Sequence, residues 1–166
     1  TNLMIWADAI DAELSRLDPI GATAYGQRSA AYRSALIELD GWIWAEVSKI
    51  PRDRRLLVTD HLAFGYFAAR YGFEVVGAVI PGFSTLAEPS ARELAALIDA
   101  VKAQGVRAIF IGTTVSPALA QTVTAETGTA LVTLYTGSLG VAGGGAETYI
   151  EMMRTNVARI VAVLAP

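Results

Sequence analysis

A buried strand and a helix meet within one short stretch of this chain, LLVTDHLAFGYFAARYG, residues 56–72. Its first part is apolar and β-branched, as in a strand covered on both faces, and its last part reads as a helix. His61, the only histidine of the chain, lies where the one turns into the other. Because ligands bind beyond the carboxyl ends of the strands in open parallel sheets, His61 is a candidate binding residue.

From Arg55 onward the chain repeats one unit, in which a short apolar strand is followed by a helix. The strand candidates are rich in Val, Ile and Leu: Leu56 to Thr59, Glu74 to Ile80, Ala108 to Gly112 and Leu131 to Thr136. Strands that alternate with helices imply a parallel sheet with right-handed crossovers. The sequence therefore predicts an α/β fold, with a four-stranded parallel sheet flanked by helices.

Several helix ends can be located from capping residues. Ser90 and Glu93 match a capping box, and Ser116-Pro117 matches an N-cap followed by proline at the first helical position. The last helix is predicted over residues 147–164, with apolar residues along one face. Three glycines stand where helices should end in a left-handed residue: Gly72, Gly105 and Gly128.

The first fifty residues read as two helices. Apolar residues recur at helical spacing from Leu3 to Leu17 and again from Tyr25 to Ile50, where Pro51 ends the pattern. The second stripe predicts a long backbone helix that precedes the sheet. We therefore divide the chain into N-terminal helices, residues 1–52, and an α/β lobe, residues 53–166.

Composition excludes several classes of protein. The formal charge of −3 gives no electrostatic basis for binding nucleic acid, and no apolar run reaches the roughly 18 residues of a membrane span. Without cysteine, neither disulfides nor thiolate metal sites can form. The length of 166 residues suits one domain, and the start at Thr1, without methionine or signal peptide, leads us to expect a mature or trimmed piece.

Four segments form an ordered set of motifs. They are TDHLAFGYF at residues 59–67 with YG at 71–72, STLAEPS at 84–90, AIFIGTTVSP at 108–117, and LYTGSLG at 134–140 leading into TYIEMMRTN at 148–156. This set resembles the zinc- and manganese-specific solute-binding proteins of ABC importers. Their patterns include T-S-H-D-A-F-x-Y-F, S-T-x-x-E-P-S and L-Y-x-D-S-L followed by T-Y-x-x-M-M-x-x-N. The resemblance spans nearly the whole chain.

The resemblance implies how a whole receptor is arranged. In that family this part is the C-terminal lobe, the long helix links two lobes, and the metal lies between the lobes with two ligands from each. Such a receptor works outside the cytoplasm, in the periplasm or anchored to the cell surface by a lipid, and delivers Zn²⁺ or Mn²⁺ as a transported ligand. We therefore expect two partners: an N-terminal lobe that is missing from this chain, and an ABC transporter permease.

The resemblance also assigns the ligands of this lobe. His61 matches the family's third metal ligand, a His or Glu, and is the one metal-binding residue that we expect. The fourth ligand is the Asp of L-Y-x-D-S-L, where this chain has Gly137, and Gly112 replaces a nearby carboxylate expected after Ile111. Asp60 could contribute, but we favour a role as N-cap of the following helix. One histidine cannot hold zinc alone, since protein sites use three or four ligands.

Three functions can be weighed at this point. The leading one is the metal receptor, and the imidazole favours zinc over manganese, whose sites contain more carboxylate oxygen. The alternative is a structural or docking module of the same fold whose metal site has degenerated, which Gly112 and Gly137 suggest. An enzyme with His61 as general base is disfavoured, because no catalytic constellation or cofactor-binding motif accompanies it. We therefore predict that the chain is not an enzyme.

We predict that the isolated chain self-associates into a homo-oligomer. The face that meets the other lobe in the resembled family would expose apolar surface, which monomers rarely tolerate in large patches. The N-terminal helices should then pack on the sheet or on a second copy, and the long helix can be exchanged between copies. Light scattering at high protein concentration should give a mass above that of one chain, and a strictly monomeric mass would count against this prediction.

Overall fold

The computed structural model describes residues 2–80 and 89–166. The chain forms two compact units, Thr1–Ile43 and Trp44–Pro166. The STLAEPS motif at 84–90 lies largely outside the described residues. The division at residues 52 and 53, which concerns the lobes of a longer receptor, stays a prediction.

The first unit consists of helices. Helix α1 (Asn2–Leu17) is followed by α2 (Ala22–Val47), which ends in the second unit. No residue of α1 is buried, and its large apolar side chains stand open to solvent: Ile5, Trp6, Ile10, Leu14 and Leu17. An ion pair joins Asp8 of α1 to Arg33 of α2. Although α2 has 26 residues, no helix in the described part of the chain is long and apolar enough to cross a membrane.

The second unit is built on a parallel sheet, which confirms the predicted fold class. Its strands are β1 (Leu56–Thr59), β2 (Glu74–Ala78), β3 (Ala108–Gly112) and β4 (Ala130–Leu134). They are parallel throughout and lie in the order β2-β1-β3-β4. Strands β1 and β3 have the predicted bounds, whereas β2 and β4 each end two residues earlier than predicted.

The central strands carry the core of this unit. Every residue of β3 is buried, as expected for a strand covered on both faces. Ile109 and Ile111 belong to one apolar cluster with Leu97 and Val101 of α4 (Ala91–Gln104) and Val123 of α5 (Ala118–Thr127). The alternate residues of β3, Ala108 and Phe110, face the other way and are also buried. The edge strands β2 and β4 are only partly covered, because each has a neighbour on one side alone.

The helix ends follow the capping chemistry of the sequence, with two shifted starts. Ser90 and Glu93 form the predicted capping box at the start of α4. Left-handed glycines end α3 (Gly65–Tyr71), α4 and α5, as predicted: Gly72, Gly105 and Gly128. Helix α5 begins one residue later than predicted, because Pro117 rather than Ser116 is its N-cap. Helix α6 (Tyr149–Leu164) begins two residues later than predicted, after a second capping box formed by Thr148 and Glu151.

Helix α6 is tied to the end of β4 by one buried side chain. The backbone N–H of Tyr135 donates to Oδ1 of Asn156 at 2.8 Å, and Nδ2 of Asn156 donates to the carbonyl of Tyr135 at 2.8 Å. Because this amide satisfies both backbone groups of Tyr135, they do not extend the sheet. The strand therefore ends at Leu134, and the segment that leads to Gly137 leaves the sheet there.

Replacing Asn156 with Leu should destabilise the chain by about 2 kcal/mol, because both backbone groups of Tyr135 would lose their partner. The matched control is Arg159→Met, which removes a hydrogen bond at 2.7 Å from the same helix to the carbonyl of Thr133. Since that contact is exposed, the control should cost less than about 1 kcal/mol. Urea unfolding gives the free energy of unfolding of both variants. Equal losses would show that the hydrogen bonds of Asn156 contribute no more than an exposed contact.

Candidate metal centre

The carboxyl ends of three neighbouring strands meet at one edge of the sheet. Strands β1, β3 and β4 are adjacent and parallel, so the residues that follow Thr59, Ile111 and Leu134 lie on the same side. These positions hold the residues that the sequence singled out. Their side chains decide what this edge can bind.

Asp60 is the buried polar centre of this edge. Its side chain is 3 % exposed. Oδ1 accepts from the backbone N–H of His61 at 2.8 Å and lies 2.7 Å from Nδ1 of the same residue. Oδ2 accepts from the backbone N–H of Gly112 at 2.6 Å. The carboxylate therefore joins the end of β1 to the end of β3.

The prediction that Asp60 is the N-cap of the next helix is wrong. Helix α3 begins at Gly65 with Phe64 as its N-cap, and no side chain caps it. The intervening residues form a separate turn, in which the carbonyl of His61 accepts from the Thr59 hydroxyl and from Ala63 N–H, both at 2.8 Å. Because this turn separates Asp60 from the start of α3, Asp60 cannot cap that helix.

His61 is held by Asp60 and remains accessible. Its side chain is 27 % exposed. A carboxylate accepts hydrogen bonds, so a neutral ring in this position would carry its proton on Nδ1 and donate it to Asp60. Nε2 then carries the free lone pair. A histidine that donates one ring N–H to a carboxylate and offers the other nitrogen is the usual form of a metal-ligating imidazole.

Gly112 has no space for a side chain. A Cβ at this position would lie 2.2 Å from Oγ1 of Thr136 and 3.0 Å from Oδ2 of Asp60. The hydroxyl of Thr136 is itself buried, and no group among the described residues forms a hydrogen bond with it. The carboxylate that the family pattern carries after Ile111 therefore cannot be accommodated beside Asp60 and Thr136 as they are packed here.

Gly137 differs from Gly112 because its surroundings are open. It is exposed, and among the residues that the structure describes a Cβ would meet the side chain of Thr114 alone, with Oγ1 at 3.0 Å. Thr114 is also exposed, so a small rotation of its hydroxyl would make room. Position 137 therefore has space for the aspartate of the family pattern, although this chain carries glycine there.

The described residues bring together part of the expected site. Asp60 contacts both His61 and Gly112 at the sheet edge, and the side chain of Thr136 lies against Gly112. Among residues 2–80 and 89–166, no three His, Asp or Glu side chains are grouped so that they could hold a metal. The sequence analysis missed Thr136 and the pairing of Asp60 with Gly112. A signal existed: a carboxylate ends one central strand, and a glycine ends the next.

Replacing Gly112 with Ala should destabilise the chain by about 1–3 kcal/mol, because the new methyl group would overlap Thr136. Gly137→Ala is the matched control and should stay within about 0.5 kcal/mol of the parent. Neither glycine has a positive φ, so backbone strain does not enter the comparison. Urea unfolding of both variants is the measurement. A loss for Gly137→Ala as large as that for Gly112→Ala would contradict the geometry.

Comparison with known proteins finds relatives that are named for metal binding. The chain is 35 % identical over 165 residues to the manganese-binding lipoprotein MntA of Halalkalibacterium halodurans, covering 99 % of this chain and 54 % of that protein. It is 34 % identical over 173 residues to the zinc-binding protein TroA of Treponema pallidum, covering 99 % and 56 %. It is 28 % identical over 160 residues to the metal ABC transporter substrate-binding lipoprotein SloC of Streptococcus mutans, covering 96 % and 52 %.

The fold is shared with a solved member of this group. The structure of the periplasmic zinc binding protein TroA from Treponema pallidum superposes with a TM-score of 0.88 at 31 % identity, over 97 % of this chain and 61 % of that one. The chain thus spans about half the length of the relatives it matches. A family model for the periplasmic zinc-uptake complex component A, ZnuA, matches residues 1–163. The chain belongs to the ZnuA family of periplasmic zinc-uptake components.

Proposed function

We propose that this chain is the C-terminal lobe of an extracytoplasmic receptor that binds Zn²⁺ or Mn²⁺ and delivers it to an ABC importer. The observation that carries the proposal is the hydrogen bond from Nδ1 of His61 to Asp60, which leaves Nε2 as an accessible ligand. The names of the relatives support metal as the cargo, since they print manganese, zinc or simply metal. The receptor works in the periplasm or as a lipoprotein on the cell surface.

The chemistry of the ligands favours zinc within this proposal. Imidazole nitrogen suits zinc, whereas manganese prefers carboxylate and water oxygen. This lobe offers His61 and has a glycine at position 137, where the family carries a carboxylate. The relatives named for manganese and for zinc are equally similar to the chain, so their names do not distinguish the two metals.

The complete site requires a partner. One imidazole cannot hold a metal ion in a closed site, and an N-terminal lobe of the receptor would supply two further ligands. The loaded receptor would then meet the permease of the transporter. Self-association of the isolated chain through its exposed α1 side chains is a further partner interaction that we propose.

The alternative functions are less well supported. A degenerate docking module would retain the fold without an accessible ligand, yet the His61–Asp60 pair keeps the geometry of a ligating histidine. The prediction that the chain is not an enzyme is confirmed by its family, whose matched members are metal-binding transporter components. The receptor hypothesis therefore remains the one that we put to the test.

The 166-residue chain should bind zinc weakly, because it offers one ligand where a tight site needs three or four. His61→Ala should abolish the site-specific heat in a calorimetric titration. Gly137→Asp should strengthen binding, since the open surroundings of Gly137 admit the carboxylate that the family carries. The control is Glu74→Ala, an exposed carboxylate at the amino end of β2, which should change nothing.

Two outcomes would overturn this assignment. Tight, stoichiometric zinc binding by the unmodified chain that survives His61→Ala would place the site elsewhere. An equal loss of binding in Glu74→Ala and His61→Ala would show that the metal interacts with the surface without a defined site.

A further inference from the structure

We propose that Asp60 is a positioning residue that selects the metal-binding tautomer of His61, and that Gly112 is the residue that makes this possible. The proposed function uses the hydrogen bond between His61 and Asp60 as its main observation and gives no role to Gly112. The consequence for metal affinity rests on that proposed function. The consequence for the tautomer does not, because it follows from hydrogen bonds that exist without a metal.

The first step is the direction of the hydrogen bond. A free neutral histidine in water favours the tautomer with its proton on Nε2, which would block the nitrogen that faces solvent. The carboxylate of Asp60, 2.7 Å from Nδ1, reverses this preference because it accepts a proton there and cannot donate one. With the proton on Nδ1, Nε2 of His61 is left as an acceptor for a cation, on a side chain that is 27 % exposed.

The second step is the anchoring of the carboxylate itself. Oδ1 also accepts from the His61 backbone, and Oδ2 accepts from Gly112 at 2.6 Å, 52 residues away on the neighbouring strand. Asp60 is therefore fixed to the sheet independently of the imidazole. A carboxylate that is fixed to the sheet holds the imidazole ring in one orientation, whereas an exposed and mobile carboxylate would move with the ring.

The geometry excludes two simpler roles for Asp60. It does not cap α3, whose N-cap is Phe64. It is poorly placed to bind metal directly, because its side chain is 3 % exposed and both oxygens already accept hydrogen bonds. Besides joining the ends of β1 and β3, Asp60 is placed to act on a metal through His61.

The fourth step concerns Gly112. Any Cβ at this position would lie 2.2 Å from Oγ1 of Thr136 and 3.0 Å from Oδ2 of Asp60, so Thr136 would have to move and the carboxylate would have to shift by a few tenths of an ångström. A side chain at position 112 therefore crowds the Asp60 carboxylate in this packing. The carboxylate of this sheet edge follows directly after β1. It has room because Gly112, the last residue of β3, carries no side chain.

The tautomer can be measured directly, because the chain contains one histidine and its nitrogen-15 NMR spectrum shows one imidazole. At a pH where histidine is neutral, the metal-free chain should show a protonated Nδ1 and an unprotonated Nε2. Asp60→Ala should shift the ring towards the Nε2–H form. Asp99→Ala, which removes an exposed carboxylate of α4, is the control and should leave the spectrum unchanged.

A second variant protects the test against loss of folding. Gly112→Ala keeps Asp60 but displaces its carboxylate, so it should lower the Nδ1–H population in the same direction. An unmodified chain that is mainly Nε2–H would overturn the proposal without any variant. So would an Asp60→Ala variant that stays folded and keeps the Nδ1–H form.

The metal titration separates this proposal from the proposed function. Asp60→Ala should weaken zinc binding about 10–100-fold without changing its stoichiometry. If the unmodified chain shows the Nδ1–H form but no binding that depends on His61, the receptor assignment fails and the positioning role of Asp60 stands. If zinc binds through His61 with the same affinity in Asp60→Ala, the positioning role fails and the receptor assignment stands.

Discussion

One buried carboxylate organises the edge of the sheet where ligands would bind. Asp60 leaves solvent almost completely and accepts three hydrogen bonds, from the backbone and ring of His61 and from the backbone of Gly112. Burying a charge is costly unless its oxygens are satisfied in this way. Because the donors come from two strands, the carboxylate fixes the end of β1 against the end of β3. The same carboxylate holds the backbone and the ring of His61 in the turn that follows β1.

The sequence predicted the features of the fold that depend on local physics. The central strands β1 and β3 were placed correctly because buried parallel strands are apolar at every position. The capping box at Ser90 and the left-handed glycines were found because their signals lie within four residues of the helix end. Edge strands were less certain, and β4 stops early because the distant Asn156 takes the backbone partners of Tyr135.

The site was predictable only in part, for the same reason. The position of His61 after a buried strand was enough to identify it as a candidate ligand. Asp60 was misread because an Asp before a helix matches an N-cap, whereas its true partner, Gly112, is 52 residues further along the chain. The steric exclusion at Gly112 depends on Thr136, on a third segment. Contacts of this kind follow from the strand order, which the sequence pattern alone did not provide.

The two glycines where the family pattern carries acids have different physical meanings. Gly112 is required by the packing of Asp60 and Thr136, while Gly137 stands in open surroundings next to Thr114. This edge therefore carries a histidine held by a buried carboxylate and, after β4, an exposed glycine with room for a side chain. The central claim is that Nε2 of His61 contacts the cargo metal. The most direct measurement is the nitrogen-15 spectrum of this single imidazole as zinc is added: the account predicts that the Nε2 resonance moves while Nδ1 stays protonated, and zinc binding that leaves Nε2 unchanged would contradict it.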